Sequence, residues 1–194
     1  MMKVLIIFAH PSKKSFNYQI LLKVKEFLEN KGIDFRIRDL YEEKFDPVLF
    51  FDKHDEKVRE EQKFIEGSDL LIFIYPTWWG SMPAILKGYI DKVFSYGFAY
   101  GIDEDGQTLP LLKGKKCIVI STFGGKEEVY KQNSLESAIK KINQHVIFEF
   151  CGFEVLEQFF IYDVKEGADL KEKIEELIFL LQKLLLVSSQ KTST

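Results

Sequence analysis

The chain has 194 residues, 46% of them hydrophobic and 29% charged, with a net charge of −3. That length suits one domain with its own core, expected over residues 1–187 with a frayed polar tail at 188–194. The composition excludes wholesale disorder and collagen-like repeats, and the slight acidity argues against nucleic acid as a partner. Cys117 and Cys151 lie in apolar stretches without CxxC spacing, and no secretory pattern opens the sequence, so a reducing, cytoplasmic setting is expected. The longest apolar runs fall well short of the about 18–20 residues that cross a bilayer. An integral membrane protein is therefore not expected, and peripheral association is left open.

Lys3 is followed by Val4, Leu5, Ile6, Ile7, Phe8 and Ala9, an apolar run too short for a helix, which predicts a strand buried on both faces. Phe16, Ile20, Leu21, Val24, Phe27 and Leu28 then recur at helical spacing, and Gly32 follows as a stop. Phe35 and Ile37 alternate with Asp34, Arg36 and Arg38, the pattern of an edge strand. Residues 41–54 read as irregular. Val58, Phe64 and Ile65 give a modest helix over 55–66, ended by Gly67. Residues 70–75 repeat the buried-strand run, and Pro83 opens a helix over 84–94. Cys117, Ile118, Val119 and Ile120 centre a third buried strand at 116–121. Asn133 and Glu136 have capping-box spacing ahead of Ala138, Ile139, Ile142 and Val146, an amphipathic helix. A strand at 155–161 and a helix at 170–187, with Ile174, Leu177, Ile178 and Leu181 inward, complete the chain.

Buried strands alternating with helices require parallel pairing through crossovers. The expected fold is α/β: a flavodoxin-like, doubly wound sheet of five parallel strands in the order 2-1-3-4-5, with helices on both faces. Its ligand would lie beyond the C-terminal strand ends, near the switch point.

Three loops follow those ends. The first holds His10, Ser15, Phe16 and Asn17 and enters a helix whose N–H groups and dipole suit a phosphate. It lacks glycine, so neither a dinucleotide fingerprint nor a Walker A loop is present; Ser15 as a plain helix cap is an equal reading for the serine. The second loop, Pro76, Thr77, Trp78, Trp79 and Gly80, offers flat aromatic faces beside backbone donors, which suits a planar heteroaromatic ring. An aromatic plug or a subunit contact is the alternative. The third loop has Thr122, Phe123, Gly124 and Gly125, then Tyr130; paired glycines let a backbone approach a ligand closely. His10, His54 and His145 show no ligand spacing, so no metal is expected.

At these residues the chain resembles the NAD(P)H:quinone oxidoreductase family, the flavodoxin-2 group that includes the DT-diaphorase type and shorter bacterial relatives. The resemblance is carried by Ala9-His10-Pro11 with Ser15-Phe16-Asn17, by Pro76-Thr77-Trp78-Trp79 running into Pro83-Ala84-Ile85-Leu86-Lys87-Gly88, by Phe98-Ala99-Tyr100-Gly101, by Gly124-Gly125 with Tyr130, and by Cys151-Gly152-Phe153-Glu154-Val155-Leu156-Glu157. It implies a flavin, FAD or FMN, with NADH or NADPH as hydride donor, and two-electron reduction of quinones by a ping-pong mechanism. It also implies that His10, Phe16 and Asn17 hold the flavin phosphate region and that residues 77–80 and 122–125 line the ring. Tyr130 would stabilise charge on the reduced ring, and a homodimer would bring Phe98, Ala99 and Tyr100 to the partner's site. The larger members carry a histidine shortly after the tyrosine that assists proton movement; a gapless reading puts Glu136 there, with His145 further along. An ancillary subunit of a potassium efflux system, or an azo or nitro reductase, are the alternatives the resemblance carries.

Overall fold

The structure is a computed structural model that describes residues 2–50, 55–165, 167–169 and 171–190. The apolar run after Lys3 forms β1 (Lys3–Phe8), and Ser15 starts α1 (Phe16–Asn30) by accepting the Tyr18 N–H at its Oγ. β2 (Asp34–Asp39) follows, then α2 (Glu56–Glu66), whose N-terminus Asp55 caps by accepting the Lys57 N–H. β3 (Leu70–Pro76) is buried along its whole length, and α3 (Ala84–Val93) starts after Pro83. An antiparallel hairpin of β4 (Tyr100–Ile102) and β5 (Thr108–Pro110) precedes β6 (Lys116–Thr122). The chain continues through α4 (Glu127–Gln132), α5 (Leu135–Lys141), a π-helical stretch (Ile142–Phe148) and α6 (Glu149–Cys151). It ends with β7 (Glu154–Ile161) and α7 (Lys171–Gln190).

The sheet runs β2-β1-β3-β6-β7 with every pair parallel, so the five parallel strands stand in the expected 2-1-3-4-5 order. Alternation along each strand divides the core in two. Val4, Ile6, Phe8, Ile72, Ile74, Ile118 and Ile120 pack under α1 and α7. Leu5, Ile7, Leu71, Phe73, Cys117 and Val119 pack under α2, α3 and the segment around Phe148. Among the described residues no helix is long and apolar enough to cross a membrane.

Two expectations need correction. Asn133 does not cap a following helix; its Nδ2 donates to the Val129 carbonyl at 2.8 Å and closes α4, and Ser134 breaks the chain with φ 57°. Ile142 and Val146 face solvent instead of the core, because the helix widens there and Asn143 and Phe148, five apart, turn inward instead. Phe98 lies in a turn and Tyr100 opens β4. In addition α7 runs to Gln190, past the expected limit at Val187, and part of the irregular stretch, residues 51–54 with His54, lies outside the described residues.

The described part of that irregular stretch is fastened to α3 by polar and steric contacts. Lys92, nearly buried, donates to the Asp46 carbonyl at 2.9 Å and pairs with Asp55 Oδ2 at 2.9 Å, and it holds the Asp55 carboxyl below the usual range. Gly88 lets Pro47 approach so closely that a Cβ there would sit 2.3 Å from the Pro47 carbonyl oxygen. We therefore expect Gly88→Ala to force apart α3 and the 45–48 segment and to lower unfolding stability by about 1–3 kcal/mol, read by urea denaturation.

Candidate active site

The three loops leave the sheet at one level because the ladder extends one residue past each strand. The Ala9 N–H donates to Ile74, the Thr77 N–H to Thr122 at 2.7 Å, and the Phe123 N–H to Ile161. They enclose a cavity of about 480 Å³ lined by His10, Ser15, Phe16, Asn17, Pro76, Thr77, Trp78, Trp79, Thr122, Gly124, Gly125, Tyr130 and Val164.

On the first side, His10 accepts the Ser12 N–H at Nδ1 over 3.0 Å, which puts the hydrogen of the neutral ring on Nε2. Burial lowers its pKa, so the ring is neutral at pH 7. Ser15 is a helix cap through its Oγ, with its own hydroxyl hydrogen still available to donate. The Phe16 and Asn17 N–H groups at the start of α1 have no acceptor among the described residues. Asn17 is buried; its Nδ2 donates to Thr122 Oγ1 at 2.7 Å, while its Oδ1 is enclosed without a donor.

On the second side, Thr77 Oγ1 and Ser121 Oγ share a 2.6 Å hydrogen bond. Trp78 and Ser81 exchange backbone hydrogen bonds at 2.9 and 3.1 Å, closing a two-residue turn in which Trp79 (φ 53°) and Gly80 (φ 73°) are both left-handed. That is the geometry of a type I′ turn, and it costs about 1 kcal/mol at a non-glycine residue. It leaves the Trp79 side chain wholly exposed, while Trp78 stands edge-on to His10 with ring centroids 6.0 Å apart.

On the third side, Gly125 passes beneath Tyr130 and Gly124 lies beside the Val164 carbonyl. A Cβ on Gly125 would meet Tyr130 Cε2 at 3.0 Å, so the ring lies directly over that backbone. Among the described residues, His10 and the Tyr130 phenol are the ionisable side chains that line the cavity. Such a cavity suits a ligand with an anionic end at the α1 N-terminus and a flat, polar ring between Trp78 and the glycines.

Twelve of the residues expected at the site on sequence grounds thus meet at one cavity, and two do not. Phe123 turns into an aromatic cluster with Phe160, Tyr162 and Tyr130, and Gly80 lines a separate small cavity beside Ser81 and Asn143. Glu136 lies outside the cavity lining, with Oε1 paired to Lys140 at 2.9 Å, and His145 pairs with Glu149 on the exposed surface. Val164 was not anticipated; it follows β7, whose C-terminal end borders the cavity as those of β1, β3 and β6 do.

A family model described as flavodoxin-like fold matches residues 2–184. A Haemophilus influenzae protein named as an uncharacterized NAD(P)H oxidoreductase is 36% identical over 165 residues, 80% of this chain and 81% of that one. NAD(P)H dehydrogenase [quinone] 1 of Cavia porcellus is 33% identical over 190 residues, 84% of this chain and 69% of that one. The crystal structure of NAD(P)H:quinone oxidoreductase from Methanothermobacter marburgensis superposes with a TM-score of 0.78 at 27% identity, covering 94% of each chain. With nearly its whole length matched and its sheet in the same order, the chain belongs to the flavodoxin-like fold family, Flavodoxin_2.

Proposed function

We propose that the protein is a flavin-dependent NAD(P)H:quinone oxidoreductase of the cytoplasm that works as a homodimer. The observation that carries this reading is the cavity of about 480 Å³ with helix N–H donors free among the described residues at one end and an aromatic and backbone wall at the other. The residues fit a flavin. A phosphate finds the Phe16 and Asn17 N–H groups, the Ser15 hydroxyl and His10 Nε2, and the enclosed Asn17 Oδ1 is an acceptor that a polyol hydroxyl can fill. Buried, unpaired Cys117 and Cys151 suit a reducing compartment.

A bound flavin would supply the two-electron chemistry that links NAD(P)H to a quinone. The chain orients and polarises. Nicotinamide donor and quinone would use this cavity in turn, which gives ping-pong kinetics. The backbone of 124–125 and the Tyr130 hydroxyl would donate to the ring's polar edge, contacts that would strengthen as that edge becomes negative. Tyr130→Phe should therefore slow cofactor reduction by NAD(P)H roughly tenfold with cofactor occupancy retained, read by stopped-flow absorbance. An unchanged rate at full occupancy removes Tyr130 from the reaction.

Ser15 separates capping from ligand binding. Ser15→Asp keeps a good N-cap, which a carboxylate supplies as well as a hydroxyl, but sets a negative charge where the phosphate would lie. Thermal stability of the cofactor-free protein should hold, while the purified protein loses its yellow colour. Chromatography of flavin released from the unaltered protein identifies FMN or FAD; a protein that binds neither overturns the reading.

The hairpin supports a shared site. Tyr100 packs on Tyr96 and Phe150 at 5.8 and 5.1 Å between centroids, and the exposed Tyr96, Ile102, Val146 and Phe150 extend that surface. Aromatic anchors on an open apolar surface are typical of an interface centre. Light scattering at micromolar concentration should give the mass of two chains and Val146→Asp the mass of one; a single-chain mass for the unaltered protein rejects the shared site.

A further inference from the structure

Behind the Tyr130 wall lie a phenol oxygen and a carboxylate oxygen, both enclosed, that the reaction as derived above does not use. Neither α4, which carries Tyr130, nor α5 contains a buried residue, so no apolar stripe fixes either helix to the sheet. Gln158 of β7 donates from Nε2 to the Lys140 carbonyl of α5 at 2.9 Å, Phe123 meets the Tyr130 ring at 4.9 Å between centroids, and a further contact comes from just past the end of β7. Tyr162 packs its ring on Phe123, 4.8 Å between centroids, and on Tyr130, 5.5 Å. Tyr162 Oη and Glu136 Oε2 are both shut off from solvent, and neither has a hydrogen-bond partner among the described residues. Each feels the other: burial first, then Glu136, pushes the Tyr162 phenol up, while Lys140 and Tyr162 together outweigh burial and hold Glu136 below the usual carboxylate range. The second oxygen of Glu136 takes Lys140 Nζ at 2.9 Å, and that ammonium lies 5.1 Å over the Phe160 ring.

Two enclosed polar groups, one a donor and one an acceptor, are each costly alone and stabilising when the phenol donates to the carboxylate. We infer that Tyr162 and Glu136 form a clamp that fixes α4 and α5 on the aromatic cluster and thereby sets the position of Tyr130 against the cavity. Both are positioning residues, and the inference rests on the reading that Tyr130 faces the cofactor.

The test uses Tyr162→Phe and Glu136→Gln, alone and on a Tyr130→Phe background, in full-length protein. With flavin saturating, each single substitution should slow cofactor reduction about fivefold while the KM for the nicotinamide moves less than about twofold, and neither should slow the Tyr130→Phe variant further. In cofactor-free protein, amide hydrogen exchange over residues 127–132 should quicken in both variants while that of β1 and β3 stays unchanged. Full additivity with Tyr130→Phe, or unchanged exchange over 127–132, overturns the clamp. If Tyr130→Phe itself leaves the rate unchanged, the role given to Tyr130 fails, and exchange over 127–132 alone then decides the clamp.

Discussion

Thr122 is met from two directions at once. Its carbonyl accepts the Thr77 N–H at 2.7 Å and its hydroxyl accepts the Asn17 amide at 2.7 Å, so segments 45 and 105 positions away in sequence are tied to the last residue of β6. Parallel strands end where their ladders end, and beyond that point the backbone donors and acceptors must find other partners. Here they find one another across the loop roots, inside a buried setting where an unmade hydrogen bond would cost about 1–3 kcal/mol. The strand ends are thereby held level, and the phosphate-facing start of α1, the tryptophan loop and the glycine pair open onto one space. Without that common level the same side chains would be scattered along the edge of the sheet.

Most of the architecture was legible because it rests on uninterrupted apolar runs. Residues such as Ile6, Ile72 and Val119 leave no polar face, and only a sheet covered on both sides accommodates that. The edge position of β2 was equally open to reading, since Arg36 and Arg38 alternate with Phe35 and Ile37. The π-helical stretch was not, because a local change of period leaves a sequence that still fits a regular helix. Asn143 gives the only hint: it is polar on what becomes the inner face, where it donates to Gln158 Oε1 and Tyr75 Oη. The hairpin of β4 and β5 escaped notice because its strands have three residues each and carry little pattern.

Within the candidate site the motif residues were found by their place after the strands, and the exceptions have physical causes. Phe123 follows the alternation of β6 into the core, so its ring joins the cluster while its neighbours Gly124 and Gly125 face the cavity. Gly80 is taken up by the turn that Trp79 needs. The three walls also differ in how they are held. The α1 and β3 sides are continuous with the core, whereas α4 and α5 depend on rings and polar groups at the sheet edge. Elements anchored in this second way open more readily than the core does, so the wall that carries Tyr130 is the adaptable one.

Trp78 and Trp79 are the two tryptophans of the chain, and both stand on the same short turn. All of the indole fluorescence of the protein therefore originates at one rim of the cavity. Trp79, surrounded by water, emits at the red end of the indole range, and Trp78 lies beside an imidazole able to quench it. Whatever comes to rest on that turn, a flat ligand or another subunit, shifts or dims the entire signal at once. The protein thus carries a built-in optical probe of this turn, with no emission from the interior to obscure it.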